Sequence, residues 1–193
     1  MRNRIRIIAF ILLSLSQLSF FSQCPPKGDN LKPKFQYLDS LKNRTSSSNT
    51  ITPISLDSIL KPGDDTKRFN SSQYVSIIGY VFEVKLGGSE TCNCRTKDKS
   101  QFDIHIEIVK DLNDAAGNKR MIVEINRYAR ANDKSLDYAL IHSLKGKKVE
   151  VQGLLFFDDE HKQNAQNTRP DGTNIWRATC WEVHPCLSIK EIK

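Results

Sequence analysis

Three of the four histidines stand within two positions of a carboxylate: His105 in DIHIE, His161 in DDEH and His184 in WEVHP. An acid next to an imidazole can orient it for metal binding or for moving a proton. The TCNC run adds Cys92 and Cys94. Together Cys92, Cys94, His105, His161 and His184 offer the nitrogen and sulfur donors that zinc takes at about 2.0–2.3 Å, and zinc is the cofactor such a set would hold. Glu160 or Glu182 would then orient a histidine or act as general base. The spacing matches no zinc signature, since the chain has neither HExxH nor CxxC. The plainer alternative is a hydrogen-bonded surface network of histidines and acids, with Glu107 in it.

Other chemistries find less. Asp103, Glu107, Asp158, Asp159 and Glu160, with Arg127 and Arg177, would suit a staphylococcal-type nuclease, but LGGSETC stands where its calcium motif belongs. There is no GxSxG for serine hydrolysis and no phosphate-binding glycine loop. No residue takes a catalytic role, and a binding protein is favoured over an enzyme. Stacking of single-stranded nucleic acid could use Trp176, Arg177, Tyr128 and Arg130.

The chain start bears on charge and compartment. RNRIR followed by IIAFILLSLSQLSFF reads as an export signal over residues 1–22. The formal charge is +7, but three of the 29 basic residues, Arg2, Arg4 and Arg6, lie in that segment. The remaining 26, against 22 acids, leave +4, too little to argue for nucleic acid. Cys24 sits where a lipoprotein cysteine would sit, so a lipid anchor is one expectation and ordinary cleavage after Ser22 the other. Membrane contact is expected only through the signal or that anchor. In an oxidising compartment Cys92, Cys94, Cys180 and Cys186 are disulfide candidates: a Cys92–Cys94 bond would be strained, bonds from the TCNC loop to the last strand are more attractive, and a Cys180–Cys186 bridge across Pro185 is a further pairing.

These residues need elements to position them. Residues 23–72 read as an N-terminal arm or linker, with a short helix over Phe35–Arg44 whose apolar face is Phe35, Leu38 and Leu41. From residue 73 the pattern is strand-like. YVSIIGYVFEVKL changes its inward parity at Gly79, which predicts a bulge or bend. FDIHIEIV sets Ile104, Ile106 and Ile108 on one face and Asp103, His105 and Glu107 on the other. MIVEIN is a third strand. Ser135–Leu144 predicts a helix with Leu136, Ala139, Leu140 and Leu144 inward, stopped at Gly146. KKVEVQGLLFFD and WRATCWEVHPCLSI close the set, with Trp181 and Val183 inward, Glu182 and His184 outward, and Pro185 ending the ladder or marking an edge. Five strands with a helix between the third and fourth is the order of the OB-fold, a closed or partly open barrel. The lone helix argues against an immunoglobulin-like sandwich.

GYVFEVKLGGSETCNC, DIHIEIV, LLFFDDEH and WRATCWEVHP, with LDSLKNR and PGDDTKRF before them, resemble a family of exported bacterial proteins of uncharacterised function. The resemblance covers most of the chain after the signal. It implies an OB-like barrel, gives no catalytic residues, and includes members described as nucleic-acid binders. Cys180 and Cys186 depart from the family pattern, which has an alanine and an aliphatic residue there.

The resulting expectation is an exported, periplasmic or cell-surface OB-like protein over residues 73–193. It binds nucleic acid, a glycan or a protein through His105, Glu107, Glu160, His161, Trp176, Arg177, Glu182 and His184. The alternatives are a zinc-dependent hydrolase built on the His/Cys/Glu cluster and a structural envelope protein held by disulfides.

Overall fold

The computed structural model describes residues 24–45 and 50–193, so the export segment of residues 1–22 lies outside the described residues. In chain order the elements are α1 (Pro33–Lys42), β1 (Thr52–Pro53), α2 (Leu56–Leu60), β2 (Tyr74–Leu86), β3 (Ile104–Val109), β4 (Met121–Ile125), α3 (Arg127–Asn132), α4 (Tyr138–His142), β5 (Lys148–Phe157) and β6 (Trp181–Glu191). The strands pair in the order β1-β2-β3-β4-β6-β5, and β5 pairs back to β2. This is a closed five-stranded OB-like barrel of mixed direction with one added strand. Only β4–β6 and the added β1–β2 pair are parallel.

Closure depends on the length of β2. Its first half pairs with β5, from Tyr74↔Leu154 to Tyr80↔Lys148, and its second half with β3, from Tyr80↔Val109 to Leu86↔Ile104. The parity change is real, but it lies between Val81 and Glu83 rather than at Gly79. Val75, Ile77 and Val81 therefore point inward before the bulge and Val84 after it, leaving Phe82 outside under the Arg120 guanidinium. Ile104, Ile106, Ile108, Met121, Val123, Ile125, Val149, Val151, Leu155 and Val183 complete the apolar interior. Trp181 packs edge-on against Phe69 and Phe157, and its indole N–H donates to the Asp65 carbonyl at 2.7 Å. Burial of the ring is thus matched by a partner for its one polar atom.

Several expectations are corrected. The Ser135–Leu144 helix is broken into a short 3₁₀ turn at Lys134–Leu136 and α4, preceded by α3. Leu136 and Ile141 enter the core, whereas Ala139 and Leu140 are exposed, because the turn rotates the stripe. Gly146 does end the segment, at a φ of +78° that favours glycine. Pro185 does not end the ladder. Its peptide bond is cis, and β6 continues to Glu191 through register shifts opposite Gly153. A Cβ at Gly153 would collide with the Pro185 carbonyl, so the strands meet there only because β5 carries a glycine. Trp176 and Arg177 precede β6 and lie in the β5–β6 connection.

The arm is docked. The face that α1 buries is polar, with Asp39 and Lys42 buried, followed by buried Asn43; Phe35, Leu38 and Leu41 are only half-buried. Asn43 donates to the Cys92 and Pro26 carbonyls at 2.8 and 2.9 Å, and Arg44 to those of Leu155 and His184 at 2.9 and 3.0 Å. Asn126 holds the Lys42 carbonyl at 2.8 Å.

Candidate functional site

The outward positions of three adjacent strands carry the acids and histidines. β3 contributes His105 and Glu107, β4 contributes Glu124, and β6 contributes Glu182 and His184; Asp103 stands just before β3. Register pairs His105 with Glu124, and Ile122 with both Glu107 and Glu182, so these side chains share one face. Parity places them outside the barrel. Even so they are not at the surface: His184 is fully buried, and Asp103, His105, Glu107 and Glu182 are nearly so. Helix α1, the TCNC turn and the β5–β6 connection roof them over.

Under that roof the charges alternate in one chain. His161 Nδ1 meets Asp158, which pairs at 3.1 Å with Arg177 Nη1. Arg177 Nη2 donates to Glu182 Oε1 at 2.7 Å. Glu182 Oε2 and Glu124 Oε2 each stand 3.4 Å from His184 Nδ1. Glu124 Oε1 pairs with His105 Nδ1 at 2.9 Å, and His105 Nε2 lies 3.4 Å from Glu107 Oε1. Lys85 and Arg120 close the chain on Glu107, each at 2.9 Å. Asp103 branches from His184, with Oδ2 3.2 Å from Nε2.

Burial sets the stakes for this network, because an unpaired ion there would be costly. Burial opposes protonation of His105 and His184, but the facing carboxylates prevail. Glu107 and Glu124 raise His105 to about 9, and Asp103, Glu182 and Glu124 raise His184 to about 10. Against the same burial, contact with His105 and Lys85 lowers Glu107 to about 2, and His105 and His184 lower Glu124 to about 2. Burial dominates at Asp103 and Glu182 and raises both.

The network opens into a cleft of about 270 Å³ lined by Lys42, Glu90, His105, Glu124, Asp158, His161, Trp176, Arg177 and Glu182 among others. Lys42, buried in its wall, pairs with Glu90 at 3.0 Å, with Glu160 at 3.8 Å. Trp176 is half-buried, with the His161 ring edge-on at 5.3 Å and that of His105 at 6.1 Å. The predicted residues His105, His161, Trp176, Arg177 and Glu182 thus converge on one cleft. His184 lies beneath it, Glu160 at its rim, and Glu107 at the end of the charge chain. Arg177 is wholly buried and engaged by two carboxylates, so it cannot stack on a base from outside.

The cysteines pair differently from expectation. Cys24 bonds Cys94, while Cys92, Cys180 and Cys186 are buried free thiols. The bridge ties the arm to the TCNC turn and uses the sulfur that a lipid anchor would need. It also removes Cys94 as a metal ligand. Burial pushes the Cys92 thiol far up, and Cys180 to about 11 and Cys186 to about 12, which keeps all three as inert thiols. The Cys180–Cys186 bridge is absent.

Sequence reasoning left Lys42, Glu90 and Glu124 out of the site. Glu124 was within reach, since strand alternation in MIVEIN puts it on the face opposite Met121, Val123 and Ile125. Lys42 and Glu90 were not, because only the docking of the arm brings them in. No family model matches the chain, and no curated protein matches it.

Proposed function

We propose that the protein is an exported binding protein of the bacterial cell envelope, periplasmic or cell-surface, whose cleft takes a sugar unit of an envelope glycan. The observation that carries this reading is Trp176, an aromatic face in a small cleft whose other polar groups are already fixed by one another. A sugar packs its C–H face on such a ring and gives its hydroxyls to charged planar groups held in place, which limits the entropy lost on binding. The volume of about 270 Å³ suits a single ring better than a polymer segment. Export rests on the basic and apolar start of the chain, and the Cys24–Cys94 bridge fits an oxidising compartment.

The test is intrinsic fluorescence during titration with neutral and amino sugars. The chain has two tryptophans, and Trp181 is sealed in the core, so a ligand-dependent change reports on Trp176. The expected change saturates and disappears in Trp176→Ala. Absence of any sugar-dependent change in the wild type would sink the reading.

A second reading keeps nucleic acid, at a different place. A groove of about 1080 Å³ beside α3 is lined by Lys99, Arg127, Arg130 and Lys134, with Tyr128 and Tyr138, against two acids, Asp98 and Asp137. Oligonucleotide binding that weakens steeply with salt and is lost in Lys99→Ala/Lys134→Ala would favour it.

A further inference from the structure

We propose that Asp103, Glu124 and His184 form a binding site for a divalent transition-metal cation, of the zinc or manganese class, at the closed end of the cleft. One ligand atom from each residue lies within 4.8 Å of the other two. All three belong to the outer face of the barrel and are held by strands β4 and β6 or the residue preceding β3, so the set is built on rigid elements.

A second observation points to a missing partner. Asp103 Oδ2 and His184 Nε2 are both buried, and neither makes a hydrogen bond. They face each other at 3.2 Å without hydrogen-bonding geometry. Two ligands on one tetrahedral ion with bonds of about 2.0 Å lie about 3.3 Å apart, so a cation between them needs little rearrangement. Buried polar atoms are almost always satisfied, and a pair left facing each other calls for an ion or a water.

The surroundings fit a metal in three further ways. His184 Nδ1 faces Glu182 Oε2 at 3.4 Å, the carboxylate–histidine arrangement that orients an imidazole so that Nε2 points at a metal; Glu124 Oε2 stands at the same distance from Nδ1 and joins the ion by turning an oxygen toward Nε2. Three carboxylates, from Asp103, Glu124 and Glu182, converge on one imidazole, so the oxygen donors a dication takes stand beside a nitrogen donor. Glu124 also lines the cleft, which gives the ion an entry path. The donor set of two carboxylates and one imidazole suits zinc or manganese better than calcium or copper(I). It differs from the set read from sequence. Cys94 is consumed in a disulfide, Cys92 is an inert thiol, and His161 is turned to Asp158 at the cleft mouth.

The site does not depend on the sugar reading, and its test does not use sugar. Untagged protein is stripped with a chelator, dialysed, and titrated with Zn²⁺ and separately Mn²⁺ by calorimetry and thermal unfolding. One equivalent should bind and raise Tm. Asp103→Asn and Glu124→Gln, which keep side-chain shape, should each weaken uptake at least 10–100-fold, the range known for mere second-shell losses. His142→Ala, at an exposed histidine outside the cleft, should change nothing. Binding that survives both carboxamide variants, that is lost in His142→Ala, or that is absent from the wild type would overturn the proposal. Should both variants fail to fold, Co²⁺ in the wild type decides. A visible d–d spectrum of oxygen and nitrogen ligation supports the site, and a thiolate charge-transfer band in the near ultraviolet overturns it by placing the ion on Cys92.

Discussion

His105 and Ile106 are neighbours on β3, and both are buried, yet one belongs to a region governed by ionic pairing and the other to one governed by apolar packing. Inside the barrel, Ile104, Ile106, Val123 and Val183 exclude water and lose a graded amount for each methylene removed. Outside it, beneath α1, the chain from Arg177 to Glu107 is also largely shielded from water, but each ion depends on the next. A buried ionic network is strongly destabilised when one member is lost, because its partner is left charged in a poor solvent. The comparison teaches that burial and apolarity are separate properties of a face.

The largest test of that contrast is Arg177→Ala. The guanidinium is fully buried and donates to Asp158, Glu182 and the Thr179 carbonyl. Its removal should cost about 3–5 kcal/mol, against about 0.5–1.5 kcal/mol for Ile106→Val on the inner face. Urea unfolding of the two variants measures both. An Arg177→Ala loss no larger than that of Ile106→Val would break the distinction between the faces.

Next in size is the fastening of the roof. Cys24 and Cys94 are 70 residues apart in sequence, so their bridge restrains a long loop in the unfolded chain, and Cys94→Ser should cost about 2–4 kcal/mol. The contrast predicts where the loss appears. Amide exchange should quicken in α1 and the TCNC turn more than in β2, whose partners are other barrel strands. Uniform quickening would mean that roof and barrel unfold as one unit.

Much of this architecture could be read from residues. The alternation of DIHIEIV sorted Ile104, Ile106 and Ile108 from His105 and Glu107 correctly, because side-chain period is a property of the strand alone. That parity could not tell that the second set would be covered. The cover comes from α1, whose Phe35, Leu38 and Leu41 suggested an apolar contact while Asp39, Lys42 and Asn43 make the buried one. A helix that docks through hydrogen bonds leaves no hydrophobic stripe to read. The Cys24–Cys94 pairing was hidden for a related reason: Cys24 reads as a lipid-anchor candidate beside the export signal, and only the docked arm brings it to the TCNC turn. Likewise the α3–α4 region followed the turn at Asp133 rather than the helical period of its leucines, since the Asp133 side chain accepts from Ser135 N–H and starts a new turn.

The effect most specific to the outer face is a slope in pH. His105 and His184 are raised from an ordinary 6.5 to about 9 and about 10 by their carboxylate neighbours. Their stabilisation is complete below pH 6.5 and decays as pH climbs through 9 to 10. Asp103 and Glu182, raised by burial, pull in the same direction from their lower starting points. Glu107 and Glu124 act oppositely. Lowered from 4.5 to about 2, they contribute fully above pH 4.5, and that contribution fades as pH falls toward 2. The chelated protein should therefore be most stable near pH 4.5 and lose Tm as pH rises from there, with the two histidines adding to the decline above pH 6.5. His105→Gln should flatten that alkaline decline, because glutamine has no proton to lose, whereas Ile106→Val should lower the whole curve without changing its shape. An unchanged alkaline slope in His105→Gln would mean that the proton is held elsewhere in the network.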